Sequence, residues 1–139
     1  VWDFGTMSML YKGMLNKDKD PIAKLYRLKD GKHLQTHLHA FNFIRNVSAH
    51  HSRLWNRDIT FKASLKGLSD AEWKSLSINK PFVYFCLMKR MLDVICPRTE
   101  WGSRLLALLD EFPDVVNKAV SLRDMGLEND PRNWRLWQR

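Results

Sequence analysis

The segment Arg45-Asn46-Val47-Ser48-Ala49-His50 places a guanidinium, a carboxamide and an imidazole within six residues, and Arg53, Asn56 and Arg57 follow within the next seven. These are the side chains that proton transfer at a phosphate ester calls for. An imidazole titrates near neutrality and can both take and give a proton. A guanidinium is always charged and offers a fork of donors to anionic oxygens. A carboxamide can orient the imidazole or bond a phosphate oxygen itself. On a helix advancing about 100° per residue, His39, Asn42, Asn46, His50, Arg53 and Arg57 collect on one face. Leu34, His37, Phe41, Ile44, Val47, His51 and Trp55 collect on the other. The adjacent histidines are therefore expected to differ, His50 lying in a polar, cationic stripe and His51 pointing into the core. The plainer readings are a surface histidine at His50, and hydrogen-bonded core histidines at His37 and His51.

The charge distribution supports an anionic partner. Lys and Arg exceed Asp and Glu by 23 to 15, a net +8 over 139 residues. Between Lys24 and Arg57 there are seven basic residues and one acid, Asp30, so six of the eight net charges fall in 34 residues. All five histidines lie in the same stretch. Nucleic acid is the first partner this suggests, ahead of an acidic protein or a membrane surface, and a solvated basic face is the alternative. A zinc site is poorly supported: His37-x-His39 and His50-His51 each split their rings across a helix, and no carboxylate falls among them. No cofactor is expected. Cys86 and Cys96, ten positions apart in one expected helix, would lie roughly 15 Å apart, beyond disulfide reach. Two free thiols in core-packing roles fit a reducing cytoplasm.

The elements that must position these residues read as helices throughout. With 45% hydrophobic and 27% charged residues the chain can build a core, and no stretch alternates like a strand. The spacing predicts an all-α fold, a helical bundle with a long central motif-bearing helix, in a single domain spanning 1–139. Helices are expected over Phe4–Leu15, from Asp20-Pro21 to Leu28, and over Lys32–Trp55. A loop follows over Asn56–Gly67. Ser69-Asp70-Ala71-Glu72 suggests a capping box opening a short helix. Further helices are expected from Asn79-Lys80-Pro81 to Ile95, over Thr99–Phe112, and from Pro113-Asp114 to Met125-Gly126, with an irregular tail buried through Trp134 and Trp137. The longest apolar run, Phe82 to Met88, is far short of the roughly 20 residues of a bilayer span. The chain opens on Val1 with no basic stretch followed by an apolar one, so no secretory leader is expected, and the start reads as an internal cut.

The string Arg45 to Arg57, RNVSAHHSRLWNR, closely resembles the Abi-like family of bacterial phage-defence proteins, of the AbiD/AbiF abortive-infection type. Its R-x4-H signature, Arg45 to His50, is that of the HEPN superfamily. Phe4-Gly5-Thr6 followed by Leu10-Tyr11 is similar to the family's opening, and Met125-Gly126 with Asn133-Trp134 and Trp137 to its closing segment. The resemblance implies the C-terminal, motif-bearing portion of a longer protein. It implies an all-helical, dimer-forming ribonuclease toxin that cuts RNA without metal. His50 would be the acid/base, Arg45 would stabilise the phosphorane, and Asn46 would orient the imidazole. Arg53, Asn56, Arg57, Asn42 and His39 would bind RNA. On a single helix Arg45 and His50 lie about 140° apart, so a homodimer bringing an Arg and a His together from opposite protomers is expected. Two other readings are a non-catalytic RNA-binding module that holds an antitoxin protein or small RNA, and a purely structural dimerisation domain.

Overall fold

Asp30 starts the long central helix, against which the two helices before it pack. Its carboxylate accepts the N–H of His33 at 3.0 Å, and the Asp20 carboxylate reaches across to accept the N–H of Gly31 at 2.8 Å. Two carboxylates thus satisfy unpaired donors at the amino end of the helix Gly31–Ala49 and complement its dipole. Gly31 is required there by proximity, because a Cβ at this position would run into Lys19 of the preceding helix.

The computed structural model describes residues 3–115 and 119–138. The helices are α1 (Phe4–Gly13), α2 (Asn16–Leu25), α3 (Gly31–Ala49), α4 (Ala71–Ser75), α5 (Pro81–Ile95) and α6 (Trp101–Asp110), followed by 3-10 turns at Leu122–Met125, Pro131–Asn133 and Arg135–Trp137. Helical residues make up 59% of the structure, with no strand among the described residues, so the all-α expectation holds. Helices α1 and α2 pack along α3, and α5 packs on α3 and receives the last 3-10 turn. The expected period of α3 is seen in Leu34, His37, Phe41, Ile44 and Val47, all buried. Helix α5 is apolar nearly all round. Its Phe82, Val83, Tyr84, Cys86 and Leu87 are at most 2% exposed, and each large apolar side chain among them stabilises the fold by about 1.5–3 kcal/mol.

His37 of α3 follows its expectation. His37 is buried and its Nε2 lies 2.8 Å from the carbonyl of Ser64 in the following loop. Burial pushes its pKa down from 6.5 to about 4, with the Ser64 hydrogen bond opposing and the charges of Arg90 and His33 adding to the fall. The unfolded chain therefore binds this proton below about pH 6.5, whereas the folded chain refuses it until about pH 4. Stability contributed by neutral His37 is complete above pH 6.5 and is lost as pH falls toward 4, by an amount on the order of 3 kcal/mol. Denaturant titrations across this window should show that loss, and His37→Gln should flatten the slope even if it lowers stability at neutral pH.

Several sequence expectations shift. Helix α2 begins at Asn16, so Pro21 sits inside it; Asp20 caps the next helix, and Ile22 and Ala23 pack on the core. Helix α3 ends at Ala49, six residues before Trp55. The capping box at Ser69 does not form. Asp70 is the N-cap of α4, makes no side-chain cap bond, and instead accepts the Trp134 indole N–H at 3.4 Å. The helix expected from Pro113 to Met125 is replaced by irregular chain at 113–115 and the turn Leu122–Met125, with 116–118 outside the described residues. Ser121 and Asp124 form a capping box that restarts the chain there, and Gly126, at φ 92°, closes the turn in the left-handed region. Cys86 is buried as expected, whereas Cys96 lies exposed at the end of α5. The tail packs as an irregular strap, with Trp134 and Trp137 each 5% exposed. No helix among the described residues is long and apolar enough to cross a membrane.

Candidate functional site: the carboxyl end of the central helix

Helix α3 stops between the two adjacent histidines. His50 is its C-cap, and His51 takes the left-handed conformation at φ 52°. The His51 N–H bonds the Ser48 carbonyl and the Ser52 N–H bonds the Val47 carbonyl, both at 3.1 Å. This is a Schellman ending, with histidine at the position glycine usually fills. The expectation that His51 points into the core is therefore overturned: the reversal at His51 leaves it exposed beside an exposed His50. Helix α2 ends in the same manner, with Arg27 at φ 56°, but there Arg90 of α5 donates to the carbonyls of Tyr26 and Arg27 at 3.1 and 2.8 Å. Because a left-handed conformation is costly for a residue with a Cβ, His51→Gly should raise stability by about 0.5–1 kcal/mol, and His51→Ala should not relieve the strain. A chemical-denaturation midpoint that falls for His51→Gly would contradict this assignment.

The expected stripe divides at the same point. Along α3, Asn42 and Arg45 turn toward α1. The Asn42 amide lies against Gly5, where a Cβ would come within 3.3 Å of it. Arg45 borders an open apolar groove of about 630 Å³ lined by Phe4, Met7, Leu10, Ile95 and Trp101. The Asp3 carboxyl is held below its usual range chiefly by the Thr6 N–H it accepts at 2.7 Å, with the charge of Arg45 a lesser cause. The Arg45 guanidinium also donates to Asn46 Oδ1 at 2.9 Å, so two of the three motif side chains are in contact. The third, His50, is exposed, and its ring makes no hydrogen bond to the described residues. Its backbone N–H bonds the Asn46 carbonyl at 3.1 Å, one turn back.

Arg53, Asn56 and Arg57 are not on the helix. They lie exposed in the loop after the reversal, while half-buried Trp55 anchors that loop by donating its indole N–H to the Ser121 carbonyl at 3.1 Å. Arg57 returns to α3, its guanidinium carbon 5.8 Å from the centre of the Phe43 ring. His39, exposed, sets its ring against Phe61 at 4.3 Å. Two aromatic residues therefore join the candidate site that the motif alone did not reveal, Phe43 and Phe61. The available signal was Phe43 four residues after His39, together with Phe61 set among Arg57, Lys62 and Lys66, an interleaving of aromatic and basic residues. No three His, Cys, Asp or Glu side chains gather in metal-binding geometry among the described residues.

Residues 1–56 match the family model of the Abi-like proteins. Over this stretch, well under half of its length, the chain is similar to the Abi-like proteins. The match covers α1 to α3 and the reversal after them, and includes Arg45, Asn46, His50, Arg53 and Asn56. The similarity noted at Met125-Gly126, Asn133-Trp134 and Trp137 lies outside it. No curated protein and no solved structure matches the chain.

Proposed function

We propose that this Abi-like chain acts in bacterial abortive infection, a phage defence, as a metal-independent endoribonuclease of the HEPN type. The observation that carries the reading is the exposed end of α3, where Arg45, Asn46 and His50 stand within the family-matched stretch beside a cationic loop. RNA brings its own nucleophile. His50 takes the proton of the 2′-hydroxyl as that oxygen bonds to phosphorus, and an imidazolium gives a proton to the 5′-oxygen as the P–O5′ bond breaks. The products are a 2′,3′-cyclic phosphate and a 5′-hydroxyl. Arg45 stabilises the extra negative charge on the phosphorane, and Asn46, already bonded to Arg45, orients the imidazole or a phosphate oxygen. Arg53, Asn56 and Arg57 hold flanking phosphates.

The active form on this reading is a homodimer. Arg45 borders the apolar groove, and Met7, Leu10 and Ile95 around that groove are each more than half exposed, a larger apolar patch than isolated surface side chains make. Burying it against a second copy would bring Arg45 of one protomer toward the motif of the other. The separation of Arg45 and His50 around α3 favours a second reading if no dimer forms, a non-catalytic module that holds an antitoxin or small RNA. Incubating the chain with RNA in excess EDTA distinguishes the two. Cleavage to cyclic-phosphate ends, abolished when a 2′-deoxynucleotide precedes the cut, is the expected result, and salt-sensitive binding without cleavage would favour the module.

A further inference from the structure

Phe61 is 44% exposed, yet the chain around it is firmly held. Ile59 and Ala63, two residues before and after it, are 2% and 1% exposed. The Ile59 N–H bonds the Asn79 carbonyl at 2.8 Å. The ring is braced as well, lying 4.3 Å from His39 and 5.3 Å from Phe43, both in edge-on arrangements at 79° and 65°. Phe43 in turn lies under the Arg57 guanidinium. An aromatic ring that only filled the core would be covered by its anchors; here the anchors are buried and the ring is presented.

From this arrangement we infer that Phe61, braced by His39 and Phe43, is a stacking platform for an unpaired RNA base, with Arg57 holding the adjoining phosphate. The inference rests on the ribonuclease reading and specifies its substrate as single-stranded at the bound nucleotide. Every base has a π-face, so such a platform adds affinity with little sequence preference, and a base locked in a duplex cannot reach it. Arg57 contributes the salt-dependent part. His39 is then less a phosphate contact than the ring that fixes the angle of Phe61. The platform and His50 share one side of α3, since His39, Phe43, Asn46 and His50 fall within about 60° of one another around a helix. A base stacked on Phe61 therefore extends its strand along the helix toward the motif.

The test uses the full chain carrying His50→Ala, so that RNA stays intact, and a single-stranded oligoribonucleotide of about 12 nucleotides containing 2-aminopurine. Binding should quench the fluorophore, and Phe61→Ala should weaken binding about tenfold and abolish the quench. Phe61→Trp should restore both, whereas Phe61→Leu, which keeps the apolar bulk, should restore neither. Arg57→Ala should lower the slope of log affinity against log salt by about one, while Phe61→Ala leaves that slope unchanged. If Phe61→Ala, with an unaltered thermal melt, binds single-stranded RNA as tightly as its parent, the platform is wrong while the RNA-binding reading stands. Equal affinity for duplex and single strand overturns the platform in the same way. If the parent binds no RNA at all, the ribonuclease reading itself falls, and the platform with it.

Discussion

His50→Ala should reduce RNA cleavage by about 10²–10⁴-fold, the range expected when a positioned proton-transfer group is removed. Folding should be unaffected, because the side chain is exposed and makes no hydrogen bond to the described residues. Arg45→Ala should be similarly impaired, by loss of the charge that stabilises the phosphorane. Arg45→Lys should recover only part of the rate, since a lysine keeps the charge without the fork that meets Asn46 at 2.9 Å. A gel-based cleavage assay paired with a thermal melt checks both halves of the expectation. Retention of full activity by His50→Ala would remove this residue from the chemistry.

The second large effect is a gain of activity. Arg45 lies on the groove side of α3, about 140° around the helix from His50, so one chain cannot readily direct both at one phosphate. If each centre takes its Arg from one protomer and its His from the other, mixing inactive Arg45→Ala and His50→Ala homodimers under exchange should restore cleavage. The heterodimer then has one complete centre, built from the intact Arg45 of the His50→Ala chain and the intact His50 of the Arg45→Ala chain. A heterodimer with both substitutions in one chain and none in the other has no complete centre and should be inactive. The pattern reverses if each centre lies within a single chain. Mixing at several ratios, with exchange verified by a mass tag, separates the two arrangements, and a cleaving monomer would remove the premise.

The all-α architecture was legible because its signal is repeated: Leu34, Phe41, Ile44 and Val47 keep one period over four turns, and each is buried. The end of the same helix was not legible. The apolar period continues past Val47 into Leu54 and Trp55, since those residues also pack, but they do so from a loop that has already reversed. Nothing in residue type announces a histidine in a left-handed conformation, and that one dihedral moves His51 from the expected core to the surface. The start of α2 was missed for a related reason: Asp20 is a good cap, but it serves the neighbouring helix across space. The candidate motif was visible as a string of residue types. Its division into a groove side with Asn42 and Arg45 and a loop side with His39 and His50 depends on which helices pack where, which no single-helix projection contains.

The reversal at His51 also separates what can vary from what cannot. Arg45, Asn46 and His50 are fixed by a helix whose far end is clamped by two carboxylates and pressed against α2 at Gly31. Arg53, Asn56 and Arg57 are exposed on a loop that begins after the helix has ended and is held between them by Leu54 and Trp55. Substitutions at Arg53, Asn56 and Arg57 would alter the grip while Leu54 and Trp55 keep the loop in place and α3 keeps its turns. On the proposed reading, a lineage contending with changing phage retargets its nuclease by exchanging those exposed side chains alone and inherits the chemistry unchanged.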